Sequence, residues 1–158
     1  HSKVFLKMLD KKEKITNSIL LKWHKEIFGE TKPDLAGEYR DYLVSVGPYL
    51  APDWQDVKNL MNQLIRFIDQ NGKMNPVELA ASTHYKFESI HPFGDGNGRV
   101  GRLLMNSILW HNGYPMLIIE YKKRQSYYRA FPKGEDAFVD YFIRRYLAVH
   151  KRRLNNKD

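Results

Sequence analysis

Cysteine is absent from this chain. Disulfides, thiolate metal sites and a cysteine nucleophile are therefore excluded, and with them a secreted scaffold held by disulfide bridges. No apolar run approaches the roughly 20 residues that span a bilayer. No signal peptide leads the sequence. A cytoplasmic location without a membrane partner is the resulting expectation. Internal repeats, low-complexity linkers, the Walker pattern G-x-x-x-x-G-K-[ST] and an EF-hand ligand series are also missing. Acidic residues are too few to balance the basic ones: 26 Lys and Arg stand against 18 Asp and Glu, for a net charge of +8. That surplus favours a polyanionic or phosphorylated ligand. It is unevenly placed, with +7 lying between Tyr121 and Asp158 and −1 between Ala51 and Glu120.

What is present suits one packed domain. The 158 residues are 42% hydrophobic and 13% aromatic, too apolar for disorder. The start at His1-Ser2 reads as an expressed fragment that lacks upstream sequence, with residues 1–158 forming one domain and its core spanning about 16–146. The periodicity predicts a mostly helical chain. Thr16 caps a helix carrying Ile19, Leu20, Trp23 and Ile27 and ending at Gly29. Tyr39 to Val46 reads as a short strand or hairpin arm broken by Gly47-Pro48. Asp53 caps a helix bearing Val57, Leu60, Met61, Leu64 and Ile68. Asn75-Pro76-Val77-Glu78 starts another helix, with an N-cap, a proline in the first turn and a capping-box glutamate. A further helix carries Leu103 to Leu109, Met116 to Ile119 is strand or extended packing, and a last helix runs from about Glu135 to Arg153. Lys151, Arg152 and Arg153 at its end complement the helix dipole, or else form a patch for nucleic acid.

One stretch concentrates chemistry: His91-Pro92-Phe93-Gly94-Asp95-Gly96-Asn97-Gly98-Arg99-Val100-Gly101-Arg102. Its glycines let the backbone approach a ligand, and successive N–H groups before a helix start make an anion nest. Arg99 and Arg102, three apart, both reach one side of that start, and arginine donates bidentately to phosphate. A carboxylate among phosphates is repulsive unless a cation lies between, so Asp95 points to Mg²⁺. His91 is placed to take a proton from a hydroxyl. The set reads as a nucleoside triphosphate site plus a base. The G-x-G-x-x-G within it lacks the preceding strand that a dinucleotide fold requires.

Every fixed position of H-x-F-x-[DE]-G-N-G-R-x-x-R is filled, so the segment resembles the signature of the Fic family. Gly37-Glu38-Tyr39-Arg40, Val46-Gly47, His84-Tyr85-Lys86 and Gly113-Tyr114-Pro115 extend the resemblance to the metazoan-type and archaeal branch. It implies an all-α core with one β-hairpin flap. It implies transfer of AMP from ATP to a Ser, Thr or Tyr hydroxyl of a target protein, with pyrophosphate released. His91 would be the base and Asp95 would hold Mg²⁺. Gly96, Asn97, Gly98 and Arg99 would cradle phosphate, with Val100 and Gly101 in the same helix start, and Arg102 would take the γ-phosphate. Val46, Gly47, Pro48 and Tyr49 would border the nucleotide and pair with the target backbone, and Tyr127 would line the adenosine pocket or else pack, partly buried, on the core. Gly98 stands where Fic phosphotransferases carry lysine, which favours attack at the α-phosphate. The family's inhibitory pattern [ST]-x-x-x-E-[GN] has no match here, so the fragment would lack that brake. Dimerisation is common in this branch. Removal of AMP from a modified protein and transfer of another nucleotide are the alternative activities, with a nucleic-acid module more distant.

Overall fold

The computed structural model describes residues 2–120 and 124–155. Among them are seven α-helices and one exposed two-stranded antiparallel hairpin. In order these are α1 (Ser2–Asp10), α2 (Asn17–Phe28), β1 (Ser45–Val46), β2 (Tyr49–Leu50), α3 (Val57–Gln70), α4 (Pro76–Ile90), α5 (Asn97–His111), α6 (Arg124–Ala130) and α7 (Glu135–Asn155). Short 3₁₀ turns precede α3 and follow α6. The all-α core with a hairpin flap is thus the observed class. None of the described helices is long and apolar enough to cross a membrane.

The capping chemistry works as the residue types demand. The Thr16 hydroxyl accepts the Ile19 N–H, and the Asn75 side chain accepts those of Val77 and Glu78. Asp53 caps the 3₁₀ turn Trp54–Asp56 rather than α3 itself, accepting from Gln55 N–H. The centre of the molecule is α4, which packs against α5, α7 and α3. Its buried residues run Val77, Leu79 to His84, Phe87 and Ile90, so it is enclosed on more than one side. Val100, Leu103, Leu104, Met105, Ile108 and Leu109 of α5 close against it. Phe138, Phe142 and Tyr146 of α7 complete the core.

The structure corrects the sequence reading in three further places. The stretch from Tyr39 to Val44 is irregular, and the strand shrinks to Ser45–Val46. The reason is that its polar backbone groups find other partners: the Arg40 N–H donates to the Pro92 carbonyl, and the Arg40 side chain donates to the Tyr42 carbonyl. Helix α1 carries no capping signal and was not anticipated. It is held by tertiary contacts, with Val4 and Met8 buried and the Leu9 and Met8 carbonyls accepting from Trp110 and His111 at the end of α5. Helix α6 is only seven residues, too short to show a period. The backbone of Lys151, Arg152 and Arg153 continues α7, while the side chains of Arg152 and Arg153 lie outside the described residues.

Met116 to Ile119 has no regular secondary structure and no strand partner among the described residues. A side chain takes the partner's place. Asn106, 4% exposed on α5, donates Nδ2 to the Leu117 carbonyl at 3.1 Å and accepts the Leu117 N–H at 2.9 Å. Replacing Asn106 by alanine removes both bonds and leaves two buried backbone groups unpaired. The expected cost is about 2–4 kcal/mol in urea unfolding; a loss under about 0.5 kcal/mol would contradict this role.

Candidate active site

The site is built where α4 ends and α5 begins. His91 is the C-cap of α4, in the left-handed region at φ 53° and ψ 61°. It is the single non-glycine residue with positive φ among those described. That conformation costs roughly 1 kcal/mol in a residue with a Cβ. It turns the chain sharply out of the helix, and Pro92 prevents α4 from continuing. The Nδ1 atom of His91 is buried, and the residue lines a cleft. Burial pushes its pKa below 6.5, with the Glu88 carbonyl opposing and the Arg40 charge adding to the shift. The ring is therefore neutral at pH 7 and able to accept a proton.

The loop from Phe93 to Gly96 is braced from inside. Asn97, 3% exposed, accepts the Phe93 N–H and donates to the Phe93 carbonyl, each at 2.8 Å. Its side chain is committed to closing the loop, and its place in a phosphate cradle is left to the backbone. His24 from α2 is the second brace, and the sequence offered no hint of it. Its Nδ1 accepts the Gly37 N–H at 3.0 Å, which fixes the tautomer, so Nε2 donates to the Asp95 carbonyl at 2.9 Å. The ring also stacks on Phe93 at 3.9 Å. Burial lowers the His24 pKa, which keeps this neutral tautomer in place.

Gly96 starts α5 at φ 85°, and the Phe28 ring lies against the face where a Cβ would be. Arg99 places its guanidinium over the same ring, 5.3 Å from the centroid. Arg102 instead turns back along its own helix, and a Cβ on Gly98 would lie 2.9 Å from its Nη1. The two arginines therefore take different neighbours. A side chain at residue 98 would displace Arg102. Asp95 is exposed, with its carboxylate paired to Lys32 and accepting the Gly96 N–H. Lys32 first, then Gly96, holds its pKa below the ordinary carboxylate value. Lys32 is a second partner invisible to sequence reasoning, because 63 residues separate the pair.

A cleft of about 350 Å³ opens beside His91. The flap supplies Val46, Gly47, Pro48 and Tyr49; α4 supplies Tyr85, Glu88, Ser89 and His91; Tyr128, Phe131 and Pro132 form the far wall. The four flap residues expected at the site are thus brought together with the histidine. None of Asp95 to Arg102 lines this cleft. Tyr127 does not line it either. It is 5% exposed and packs on His84, Phe131 and Phe138, while its neighbour Tyr128 takes the wall position. A larger open cleft, about 990 Å³, lies by Asn75, Trp110 and Leu147 and includes no residue of the loop.

Glu88 was also missed, although it sits one turn before His91 on α4. Its Oε1 is shut off from solvent, and a Cβ on Gly101 would lie 2.6 Å from it. Only glycine at 101 lets α5 pass this close. Burial raises the Glu88 pKa to about 7, against the opposing pull of Arg102.

The Fic/DOC family profile matches residues 14–109. The chain belongs to the Fic/DOC family. Protein adenylyltransferase Fic from Culex quinquefasciatus is 37% identical over 139 residues, covering 87% of this chain and 28% of the relative. Its counterpart from Nematostella vectensis is 36% identical over 139 residues, covering 87% and 33%. The chain therefore spans about a third or less of these curated relatives. Among solved structures, Caenorhabditis elegans Fic-1 superposes with a TM-score of 0.82 at 28% identity, covering 97% of this chain and 49% of that one. The BepC protein of Bartonella tribocorum, solved with bound AMPPNP, gives a TM-score of 0.71 at 18% identity, covering 89% and 80%. At that identity only the Fic fold is shared.

Two buried titratable groups of this Fic domain pull against each other. Burial holds His84 neutral down to about pH 3 rather than 6.5, while Glu88 keeps its proton up to about pH 7 rather than 4.5. As pH falls from 6.5 to 4.5, the unfolded chain gains a proton at His84 that the folded chain refuses, which destabilises the fold. Over the same window the folded chain already holds a proton at Glu88 that the unfolded chain has still to bind, so stability rises with falling pH. Each slope is up to about 1.4 kcal/mol per pH unit. In Glu88→Gln the glutamate slope is lost and the histidine slope is left unopposed by it, so the variant's melting midpoint is expected to fall more steeply between pH 6.5 and 4.5 than the parent's. Parallel profiles in thermal melts would refute the assignment.

Proposed function

We propose that this domain transfers AMP from ATP to a hydroxyl of a target protein, releasing pyrophosphate. The observation that carries the reading is His91. A neutral imidazole is held in a left-handed turn, with one nitrogen buried, on a residue that lines a cleft under a hairpin flap, beside a complete H-x-F-x-D-G-N-G-R-x-x-R segment.

The cleft suits the nucleoside. Tyr85, Tyr128, Phe131 and Pro132 give flat apolar faces, and the volume matches a small-molecule pocket. The triphosphate would run along the start of α5, where unpaired N–H groups and the helix dipole meet Arg99 and Arg102. The bare face of Gly98 leaves Arg102 room to reach the γ-phosphate, which supports transfer from the α-phosphate.

The residues present fit Mg²⁺. Asp95 is an exposed, ionised carboxylate already drawing the cation of Lys32. No cluster of three His, Cys, Asp or Glu ligands exists among the described residues, so the remaining ligands would be phosphate oxygens and water. When bound, Mg²⁺ would screen charge on the phosphates. The protein's own part is to position and to move a proton. His91 Nε2 takes the hydroxyl proton of the target as its oxygen bonds the α-phosphorus. The bond from the α-phosphorus to the bridging oxygen breaks, and pyrophosphate leaves. Backbone N–H groups at residues 97–99 and the Arg99 guanidinium stabilise the charge that develops. The target segment would lie along the edge of the flap, whose Val46, Tyr49 and Leu50 are exposed.

Incubation with α-labelled ATP and Mg²⁺ is expected to label a protein substrate or the chain itself. His91→Ala is expected to lower the rate by about 10²–10⁴-fold. The rate of the parent is expected to hold until below pH 6.5 and then fall, because the base must be neutral and its pKa is depressed. Label retained in His91→Ala, or label arriving only from γ-labelled ATP, would sink this function.

A further inference from the structure

Arg40 is 4% exposed, yet no carboxylate among the described residues lies within ion-pair distance of it. Its guanidinium donates to main-chain carbonyls instead. Nε bonds His91 at 2.7 Å, Nη1 bonds Tyr42 at 2.9 Å, and Nη2 bonds Pro52 at 2.6 Å and Ile90 at 3.3 Å. Its own N–H donates to the Pro92 carbonyl at 2.9 Å. These acceptors fall into two groups. Ile90 and His91 are the carbonyls at the C-terminal end of α4, where the helix dipole is negative and favours a cation. Tyr42 and Pro52 are the two feet of the flap.

Little else fixes the flap. It has two residue pairs, Ser45 with Leu50 and Val46 with Tyr49, and an Ala51 N–H bond to the Val44 carbonyl. Val46, Tyr49 and Leu50 are exposed, and Tyr49 Oη donates to the Ser89 carbonyl at 2.9 Å. A two-pair hairpin does not hold itself in place in water. The planar five-donor fork of arginine can serve four carbonyls at once, whereas an ammonium with three donors cannot.

We propose that Arg40 is a positioning residue for the transfer reaction: by tying both feet of the flap to the carbonyl of His91, it fixes the spacing between the edge that holds a target segment and the imidazole that takes its proton. The proposal rests on the adenylyl-transfer reading. It adds to it the device that makes flap and base one rigid unit.

The test uses the full chain and two variants, Arg40→Lys and Arg40→Ala. Amide hydrogen exchange without ligand reads the clamp, and the transfer rate reads its consequence. In Arg40→Lys, the N–H groups of residues 40 and 51 are expected to exchange at least about tenfold faster, with α4 and α5 core amides unchanged. The kcat is expected to fall about tenfold or more, with KM for ATP within about threefold. Ethylguanidinium at tens of millimolar is expected to restore part of the rate and of the amide protection in Arg40→Ala, and ethylammonium is not. If Arg40→Ala does not fold, the lysine variant decides alone. Unchanged exchange at residue 51 overturns the proposal. So does faster exchange spread evenly through α4 and α5, which marks a mere loss of stability, and so does local loosening with an unchanged kcat. Failure of the parent chain to transfer AMP sinks the transfer reading instead, and the exchange pattern still decides the clamp.

Discussion

Two largely buried helices, α4 and α5, are joined by only six residues, 91–96, and the polar backbone groups of that connection that are cut off from water must find partners in the protein. This requirement governs the site. An unpaired buried carbonyl or N–H costs a few kcal/mol, so the loop persists only where side chains meet it. Asn97 serves Phe93, His24 serves Asp95, and Arg40 serves Ile90 and His91. Each comes from a different element. The loop is thereby stiff before any ligand arrives, which is what a phosphate cradle and a general base both need.

The same economy explains the glycines. Gly96 and Gly101 are closed in by Phe28 and by Glu88, Phe87 and His84 respectively, so each is a place of close approach. Gly98 differs, since the group above it is the end of a long side chain, Arg102. A glycine-rich loop thus contains two kinds of glycine, one serving packing and one leaving space beside a candidate phosphate ligand.

The net charge of +8 suggested a polyanion partner. The structure moves the reason elsewhere. At the site the positive potential comes from oriented N–H groups, Arg99, Arg102 and Lys32, set around one carboxylate. Arg40, although charged, is spent on carbonyls. Net charge pointed to a phosphate ligand through residues that are largely remote from the place where a phosphate would bind.

Much was legible from local chemistry. Thr16 and Asn75 cap helices, Pro76 sits in a first turn, and the apolar periods of α2 to α5 and α7 follow from residues near in sequence, because helical contacts are local. The signature from His91 to Arg102 was complete in one line of residues, and its resemblance to Fic proteins carried the fold with it. The braces were not legible. His24 with Asp95, Lys32 with Asp95, Arg40 with His91 and Asn106 with Leu117 join residues that no pattern links, and a pair such as Lys32 and Asp95 meets only after the chain has closed. The misread strand at Tyr39 to Val44 and the choice of Tyr128 over Tyr127 have the same origin. Which backbone group or ring face is left open depends on what the rest of the fold has already covered. The sequence by itself determined helices α2 to α5 and α7 and the chemistry available at the loop. Tertiary structure decided which side chains hold that loop, which face the cleft, and which are buried, because those outcomes depend on contacts between distant segments.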